Sequence, residues 1–284
     1  LLSEPETGQQ AEKSGAENMA RKDLLIIIPA YNEEESIEFL LDQLEQPRIA
    51  RIADVLVMND HSSDKTNLMV KKRNHALVTH VYNLGYGGGL RLGYKYAVRR
   101  GYQYVIQMDA DGQHDVCNIP KIYKALKTAD ENGFLPDIVL GSRFMEGSFP
   151  FPVSFAKKVA FALFRQMIRM GTGQKIMDPT TGLQGLSRRA FLFYSKYNQF
   201  DDSYPDANMI IQMLLLGFRV REIPAVMHAR TGGCSMHAGL EPIAYMVRMF
   251  FSILAVEFKI KVLKWKVNGI EDYGLVFPEK QTGY

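Results

Sequence analysis

Cysteine is almost missing from this chain. Cys117 and Cys234 are the only two in 284 residues, too few and too scattered for a disulfide framework, which fits a reducing compartment. Charge of one sign is also missing. There are 34 Lys and Arg against 31 Asp and Glu, for a net charge of +3, and the basic residues are interleaved with bulky aliphatics. With no DNA- or RNA-binding motif besides, nucleic acid is not indicated as a partner. No apolar run is long enough to span a bilayer. Residues 1–20 are polar and contain no apolar stretch of the signal-peptide kind. Residues 1–22 are therefore expected to form a flexible extension, with Met19 as the natural start, and residues 267–284 a loosely attached tail. Internal repeats and low-complexity arrays are absent too. What the chain does have is 46% hydrophobic content, enough for one substantial α/β core.

Short apolar runs alternate with polar loops. Residues 24–28 form a continuous apolar run suited to a strand buried on both faces. The run breaks at Pro29-Ala30-Tyr31-Asn32-Glu33-Glu34-Glu35-Ser36, and Ile37, Leu40, Leu41 and Leu44 then carry a helical period. Residues 55–58 predict a second strand, leading to Asn59-Asp60-His61-Ser62-Ser63-Asp64-Lys65-Thr66, where Ser63 or Asp64 is placed to cap the next helix. Residues 77–82 predict a third, followed by Asn83-Leu84-Gly85-Tyr86-Gly87-Gly88-Gly89. These glycines permit close backbone approach to a ligand at a helix start. They lack the Lys-Ser/Thr ending of a P-loop and the spacing of a dinucleotide fingerprint. Three strands ending in three polar loops make one crevice.

Residues 104–108 predict a fourth strand, which ends at Asp109-Ala110-Asp111-Gly112-Gln113-His114. Carboxylates at a strand's carboxyl end sit where open α/β sheets place ligands. Mg²⁺ and Mn²⁺ take one or two carboxylates plus phosphate oxygens and waters. Alternate residues of an extended segment point to opposite faces, so one acid is suited to direct ligation and the other to a bond through water or ribose. Solvated turn acids are the plainer alternative for an isolated Asp-x-Asp. His114 and His237 are too far apart, and lack the paired spacing, for a His-based metal site.

Four of these motifs, in order, are Pro29-Ala30-Tyr31-Asn32-Glu33, Asn59-Asp60-x-Ser62-x-Asp64-x-Thr66, Asn83-x-Gly85-x-Gly87 with Gly93 and Ala97, and Asp109-x-Asp111. Together they resemble family 2 glycosyltransferases of the GT-A fold. Gly141-Ser142-Arg143-Phe144, Asp178-Pro179-Thr180-Thr181-Gly182-Leu183 and Arg230-x-x-Gly233-x-Ser235 look like the polyisoprenyl-phosphate hexosyltransferase branch, which includes dolichol-phosphate mannose synthases. The resemblance implies a mixed, mostly parallel sheet flanked by helices over residues 23–240, with C-terminal interfacial helices. It implies that Pro29, Tyr31, Glu33 and Asp60 contact the nucleotide, with Asn83 and Gly85 beside them. It also implies that Asp109, Asp111 and Gln113 surround Mg²⁺ or Mn²⁺ and the diphosphate, and that Ser142, Arg143 and Arg230 meet donor or acceptor phosphates. The implied reaction is inverting transfer of a hexose from a UDP- or GDP-sugar to a polyisoprenyl phosphate, with Asp111 and Arg143 in catalytic roles.

Departure of a nucleoside diphosphate leaves charge that a cation and fixed arginines stabilise. A lipid phosphate is largely ionised near neutral pH and needs no strong base, whereas an alcohol needs its proton removed. Asp206, just before an apolar helix at residues 207–216, stands where hydroxyl-glycosylating relatives keep a catalytic acid. General base and helix N-cap are both open to it. Transfer to a hydroxyl of a lipid-linked glycan is thus the alternative activity, and a noncatalytic sugar-nucleotide-binding scaffold a second one.

Between residues 153 and 170, Lys157, Lys158, Arg165 and Arg169 fall within an arc of about 120° at 100° per residue. The segment's apolar residues include Val159, Phe161, Leu163, Phe164, Met167, Ile168 and Met170. Such a basic amphipathic helix suits an anionic lipid surface, with a core-packed helix bearing a solvated basic stripe as the alternative. Residues 241–266 read as a second docking helix for a membrane or a partner, with Trp265 at headgroup level. The expected location is peripheral, on the cytoplasmic face of the membrane. The lack of spans leaves room for a small membrane protein that completes the acceptor site.

Overall fold

The apolar run at residue 24 becomes the central strand β1 (Leu24–Ala30), buried along almost its whole length. This computed structural model describes residues 22–73, 75–149, 155–196, 198–228 and 241–265. The other strands are β2 (Ala53–Asn59), β3 (Ala76–Thr79), β4 (Tyr104–Gln107), β5 (Ile138–Ser142), β6 (Gln184–Ser187) and β7 (Val220–Pro224). They form one seven-stranded sheet in the order β3-β2-β1-β4-β6-β5-β7. Strands β1 to β4 are mutually parallel, β6 runs antiparallel between β4 and β5, and β7 is parallel to β5. The expected mixed, mostly parallel sheet is present.

The strand period of two divides β1 between two cores. Leu24, Ile26 and Ile28 face one with α1 (Ile37–Leu44), α2 (Pro47–Ala50), α3 (Thr66–Lys71) and α5 (Asn118–Leu126). Leu25 and Ile27 face the other, filled by α4 (Tyr86–Arg100), α6 (Phe155–Thr172), α7 (Arg188–Tyr194), α8 (Ala207–Leu215) and α9 (Glu241–Glu257). A π-helical turn, Phe258–Val262, continues α9.

Two expectations need correction. The third strand stops at Thr79 rather than residue 82: His80 N still donates to Asn59 O at 2.9 Å, but the His80 ring turns to Asp60, and Val81 and Tyr82 emerge into solvent. The expected lipid-facing side of α6 is mostly spent on protein. Phe161, Phe164, Met167 and Ile168 are buried, because α8, itself buried through Ala207, Met209, Ile210, Ile211 and Met213, needs α6 and α9 as cover. Val159, Leu163 and Met170 remain exposed on α6 beside Lys157, Lys158 and Arg169. On α9, Met249 and Ile253 enter the core, while Val247, Phe251 and Leu254, continued by Phe258 and Val262 on the π-helical turn, form an exposed row at helical spacing. No helix among the described residues is long and apolar enough to cross a membrane.

Candidate active site

The parallel strands β1 to β4 bring their following loops to one edge of the sheet, and hydrogen bonds tie those loops together. Asn32, at φ 53°, donates its N–H to Ser62 Oγ at 3.0 Å and accepts from Ser63 N at 2.8 Å. Glu33 N donates to Thr66 Oγ1 at 2.8 Å, and Ser36 Oγ donates to Glu33 Oε2 at 2.8 Å. Asp64 Oδ1 accepts from Thr66 N at 2.9 Å and Oδ2 from Glu34 N at 3.0 Å, so the expected capping acid joins two loops at once. Pro29 is partly buried, and Tyr31 lies half-exposed on the rim.

Asp60 is buried and fully engaged. Its carboxylate accepts from Leu84 N at 2.7 Å and Gly85 N at 2.9 Å, and lies 2.7 Å from His80 Nδ1; Asn83 Nδ2 donates to Asp60 O at 3.3 Å. Asp60 therefore pins the loop that carries Asn83 and Gly85. The glycines that follow do not wait for a ligand: Gly88 N donates to Asp202 O at 3.1 Å, and a Cβ on Gly87 would lie 2.1 Å from Asp201 O. The close approach expected at this helix start is made by the chain's own 201–202 backbone, and Arg91 Nε binds Asp202 Oδ1 at 2.9 Å beside it.

Beyond β4, Asp109 N donates to His114 Nδ1 at 3.0 Å, which orients the buried histidine. Asp109 Oδ1 accepts from Tyr86 Oη at 2.8 Å, and Asp109 Oδ2 faces Gly182, where a Cβ would intrude to 2.7 Å. Asp111 Oδ1 accepts from Gln113 N at 3.0 Å, and Gln113 O accepts from His228 N at 2.8 Å. Burial and Asp109 hold the Tyr86 phenol well above its usual pKa, so it stays a neutral donor. No group of three or more His, Cys, Asp or Glu among the described residues can hold a metal. The side chains of Asp109, Asp111 and Gln113 offer the hard oxygen donors that a divalent cation takes beside phosphate oxygens and water, and the bare Gly182 backbone leaves Asp109 room.

Arg143 is locked. Its Nε and Nη2 fork onto Asp178 at 2.7 and 2.6 Å, and Nη2 also meets Thr180 Oγ1 at 3.0 Å. Burial opposes its charge, but Asp178, then Asp206 and Asp109, raise its pKa above the usual arginine value. Ser142 is fully buried, its hydroxyl shared between Phe144 N and Glu222. Arg230, with Gly233, Ser235 and His237, lies outside the described residues.

Asp206 precedes α8 without capping it by its side chain. Asn208 Oδ1 does the local work, accepting from Asp206 N and Met209 N at 2.9 Å each. The Asp206 carboxylate instead accepts from Tyr245 Oη at 2.7 Å. Burial pushes its pKa up to about 6; Asp109 and Asp201 add to this, and Tyr245 and Arg143 oppose it. Asp206, Asp109 and Arg143 thus lie within one another's electrostatic reach, and Tyr86 within that of both acids. Tyr86 and Asp178 sit inside motifs visible in the sequence, although their partners do not. Tyr245 and Glu222 carry no sequence signal, since each acts on residues about 40 positions away.

A mixed sheet with ligand loops at one edge and acids after the fourth strand defines a nucleotide-sugar fold of the GT-A type. Residues 25–193 match "Glycosyl transferase family 2", and the chain belongs to that family and is a glycosyltransferase. It is 26% identical over 253 residues to a dolichol-phosphate mannosyltransferase of Pyrococcus furiosus, covering 86% of this chain and 68% of that protein. It is 29% identical over 231 residues to an undecaprenyl-phosphate mannosyltransferase of Micrococcus luteus, covering 76% and 88%. The fold is similar to that of glucosyl-3-phosphoglycerate synthase from Mycobacterium tuberculosis, solved with Mn²⁺, UDP and glucosyl-3-phosphoglycerate. There the TM-score is 0.57 at 19% identity, over 84% of this chain and 80% of that one. Family membership leaves the noncatalytic scaffold without support.

Proposed function

We propose that the chain transfers a hexose from a UDP- or GDP-sugar to a polyisoprenyl phosphate, with inversion, at the cytoplasmic surface of a membrane. The observation that carries this reading is the convergence of Asp109, the Asp178-locked Arg143 and Asp206 at the edge where the β1 to β4 loops meet. The names of the relatives from Pyrococcus furiosus and Micrococcus luteus support the acceptor class.

The loops after β1, β2 and β3, with Pro29, Tyr31, Glu33, Asp60, Asn83 and Gly85, would form the nucleotide side of the cleft. Asp109, Asp111 and Gln113 would hold Mg²⁺ or Mn²⁺, which when bound supplies positive charge against the leaving diphosphate. Arg143 presents a fixed cation to phosphate oxygens of donor or acceptor, and a fixed charge loses no reorganisation energy as the reaction proceeds. Ser142 would act behind it, and Arg230 is proposed as a second phosphate contact. The exposed apolar row on α9 and the residual apolar strip on α6 would rest on lipid or on a small membrane protein.

One observation favours transfer to a hydroxyl as a second reading. Asp206 is free of capping duty and has a pKa pushed up to about 6, which suits a base working near neutral pH. The test is incubation with radiolabelled UDP- and GDP-sugars, Mg²⁺ or Mn²⁺ and bacterial membranes, then organic extraction and mild acid. Acid-labile label in a polyprenyl product supports the first reading. Acid-stable label in a larger glycan overturns it in favour of the second.

A further inference from the structure

Glu222 stands on the edge strand β7. Its Oε1 accepts from Asp178 N and its Oε2 from Met177 N, both at 2.7 Å. The hydroxyl of Ser142 is bonded to the same carboxylate. β7 is itself fixed to β5 in parallel register, with Leu140 opposite Glu222 and Ser142 opposite Pro224. The turn that Glu222 grips presents Asp178, which is fully buried and takes the Nε and Nη2 edge of Arg143, while Arg143 N donates to Asp178 Oδ2 at 2.9 Å.

We propose that Glu222 is a positioning residue for Arg143, acting through the backbone of Met177 and Asp178 to fix where the guanidinium is held. The geometry gives the reason. Asp178 could fix Arg143 only if its own backbone were fixed, and the 177–178 segment belongs to no strand or helix. Two short bonds from one carboxylate to successive N–H groups supply that constraint, and bonds to a charged acceptor are about twice as strong as neutral ones. Burial lifts the Glu222 pKa and the neighbouring Asp178 carboxylate adds to the lift, while the two N–H groups oppose them. A glutamine here keeps one acceptor and turns its amide nitrogen toward an N–H donor, so one of the two grips is lost.

The inference rests on the proposed role of Arg143 in transfer, so the experiment has two independent arms. The first is the Arg143 Nε–H resonance in ¹⁵N NMR of the whole chain, assigned by its loss in Arg143→Lys. In the wild type it is expected to be resolved and protected from solvent exchange, and in Glu222→Gln exchange is expected to accelerate at least about tenfold. An unchanged exchange rate overturns the proposal whatever the enzyme's substrate proves to be. The second arm is a double-mutant cycle in kcat/KM. Glu222→Gln is expected to lower transfer by roughly 10- to 100-fold, the scale of a misplaced catalytic group, but to have little further effect in Arg143→Ala. Equal losses in both backgrounds overturn the proposal, because a general loss of structure would be additive. Glu222→Asp, which keeps both acceptor oxygens, is expected to recover part of the protection. Arg143 Nε–H protection that is lost in Glu222→Gln as expected, with no transfer to any lipid phosphate by the wild type, would count against the proposed reaction alone.

Discussion

Tyr245, in the ninth helix, donates its hydroxyl to Asp206 Oδ2 at 2.7 Å across 39 positions of sequence. A helix whose outer row faces solvent therefore holds a site carboxylate with its inner row. Burial pushes the Asp206 pKa up to about 6, above its usual value of 3.8. Between those values the folded chain keeps a proton that the unfolded chain releases, so this group's contribution makes stability fall as pH rises from about 4 to 6 and stay lower above. Asp206→Asn removes that cost. The variant is expected to gain thermal stability relative to the wild type at pH 8 but not at pH 4, as scanning calorimetry at the two pH values would show.

The same bond predicts a kinetic separation of the two acceptors. A phosphate monoester has a second pKa of about 6, so a rise in rate near pH 6 does not by itself identify Asp206. Tyr245→Phe removes a hydrogen bond that favours the ionised carboxylate, and so moves the Asp206 limb upward while leaving that of the lipid phosphate in place. With a hydroxyl acceptor, Asp206→Asn is expected to nearly abolish turnover. With a phosphate acceptor it should leave activity within about tenfold. A pH–rate series on the wild type and both variants distinguishes the two, and a phosphate-acceptor reaction lost in Asp206→Asn would contradict the assignment.

Much of the frame could be read from residues near one another in sequence. The strand after Asp23 is a continuous apolar run and its helix at Ile37, Leu40, Leu41 and Leu44 a pattern of period 3.6, and both are found where those residues place them. The acids after Gln107 are legible for the same reason. The end of the third strand was not, because His80 leaves the sheet for Asp60, a partner 20 residues away. The destination of the glycine run was not legible either. Gly85 to Gly89 reads as a ligand cradle, and nothing nearby signals that the 201–202 backbone fills it. The sixth helix shows the ambiguity most plainly: apolar residues such as Phe164 and Ile168 among basic ones look the same whether those side chains meet lipid or the eighth helix.

Gly182 offers a way to disturb the acids without unfolding the chain. A Cβ there would come within 2.7 Å of Asp109 Oδ2, the far end of a flexible side chain. The carboxylate can swing away at small cost to folding, but then leaves the position that Tyr86 and Gly182 define. Gly182→Ala is expected to keep the wild-type Tm while weakening Mn²⁺-dependent UDP binding by about tenfold or more, the range for altered support around metal ligands. Calorimetric titration of UDP with and without Mn²⁺ measures this, and Asp109→Ala should remove the metal dependence altogether. Unchanged binding in Gly182→Ala would count against Asp109 as a ligand.

Gly87 should behave in the opposite way, since its added Cβ would meet backbone at 2.1 Å. The Asp201–Asp202 segment cannot swing aside as a side chain can, and overpacking of this kind costs about 1–3 kcal/mol. Gly87→Ala is therefore expected to lower Tm and to displace the loop that carries Asp206, so stability and turnover fall together. A thermal melt beside an activity assay checks it, and full activity at wild-type Tm would mean that the loop's seat on the fourth helix is not needed.

The exposed row on the ninth helix gives the last prediction. Phe251 is 61% exposed and Phe258 is 55% exposed, so neither contributes much to the core, and charging them should leave the fold intact. Phe258 lies on the π-helical turn that also carries Lys259 and Lys261, with Lys264 just beyond. Near an anionic surface each such lysine contributes about 1 kcal/mol, while the aromatic rings enter the acyl boundary. The wild type is therefore expected to sediment with phosphatidylglycerol vesicles, less with phosphatidylcholine, and less with phosphatidylglycerol as salt rises. Phe251→Asp with Phe258→Asp should reduce sedimentation by more than tenfold at unchanged Tm. Equal binding by the wild type and the double variant would remove the ninth helix as the lipid contact and leave the smaller strip of Val159, Leu163 and Met170 as the surface to test.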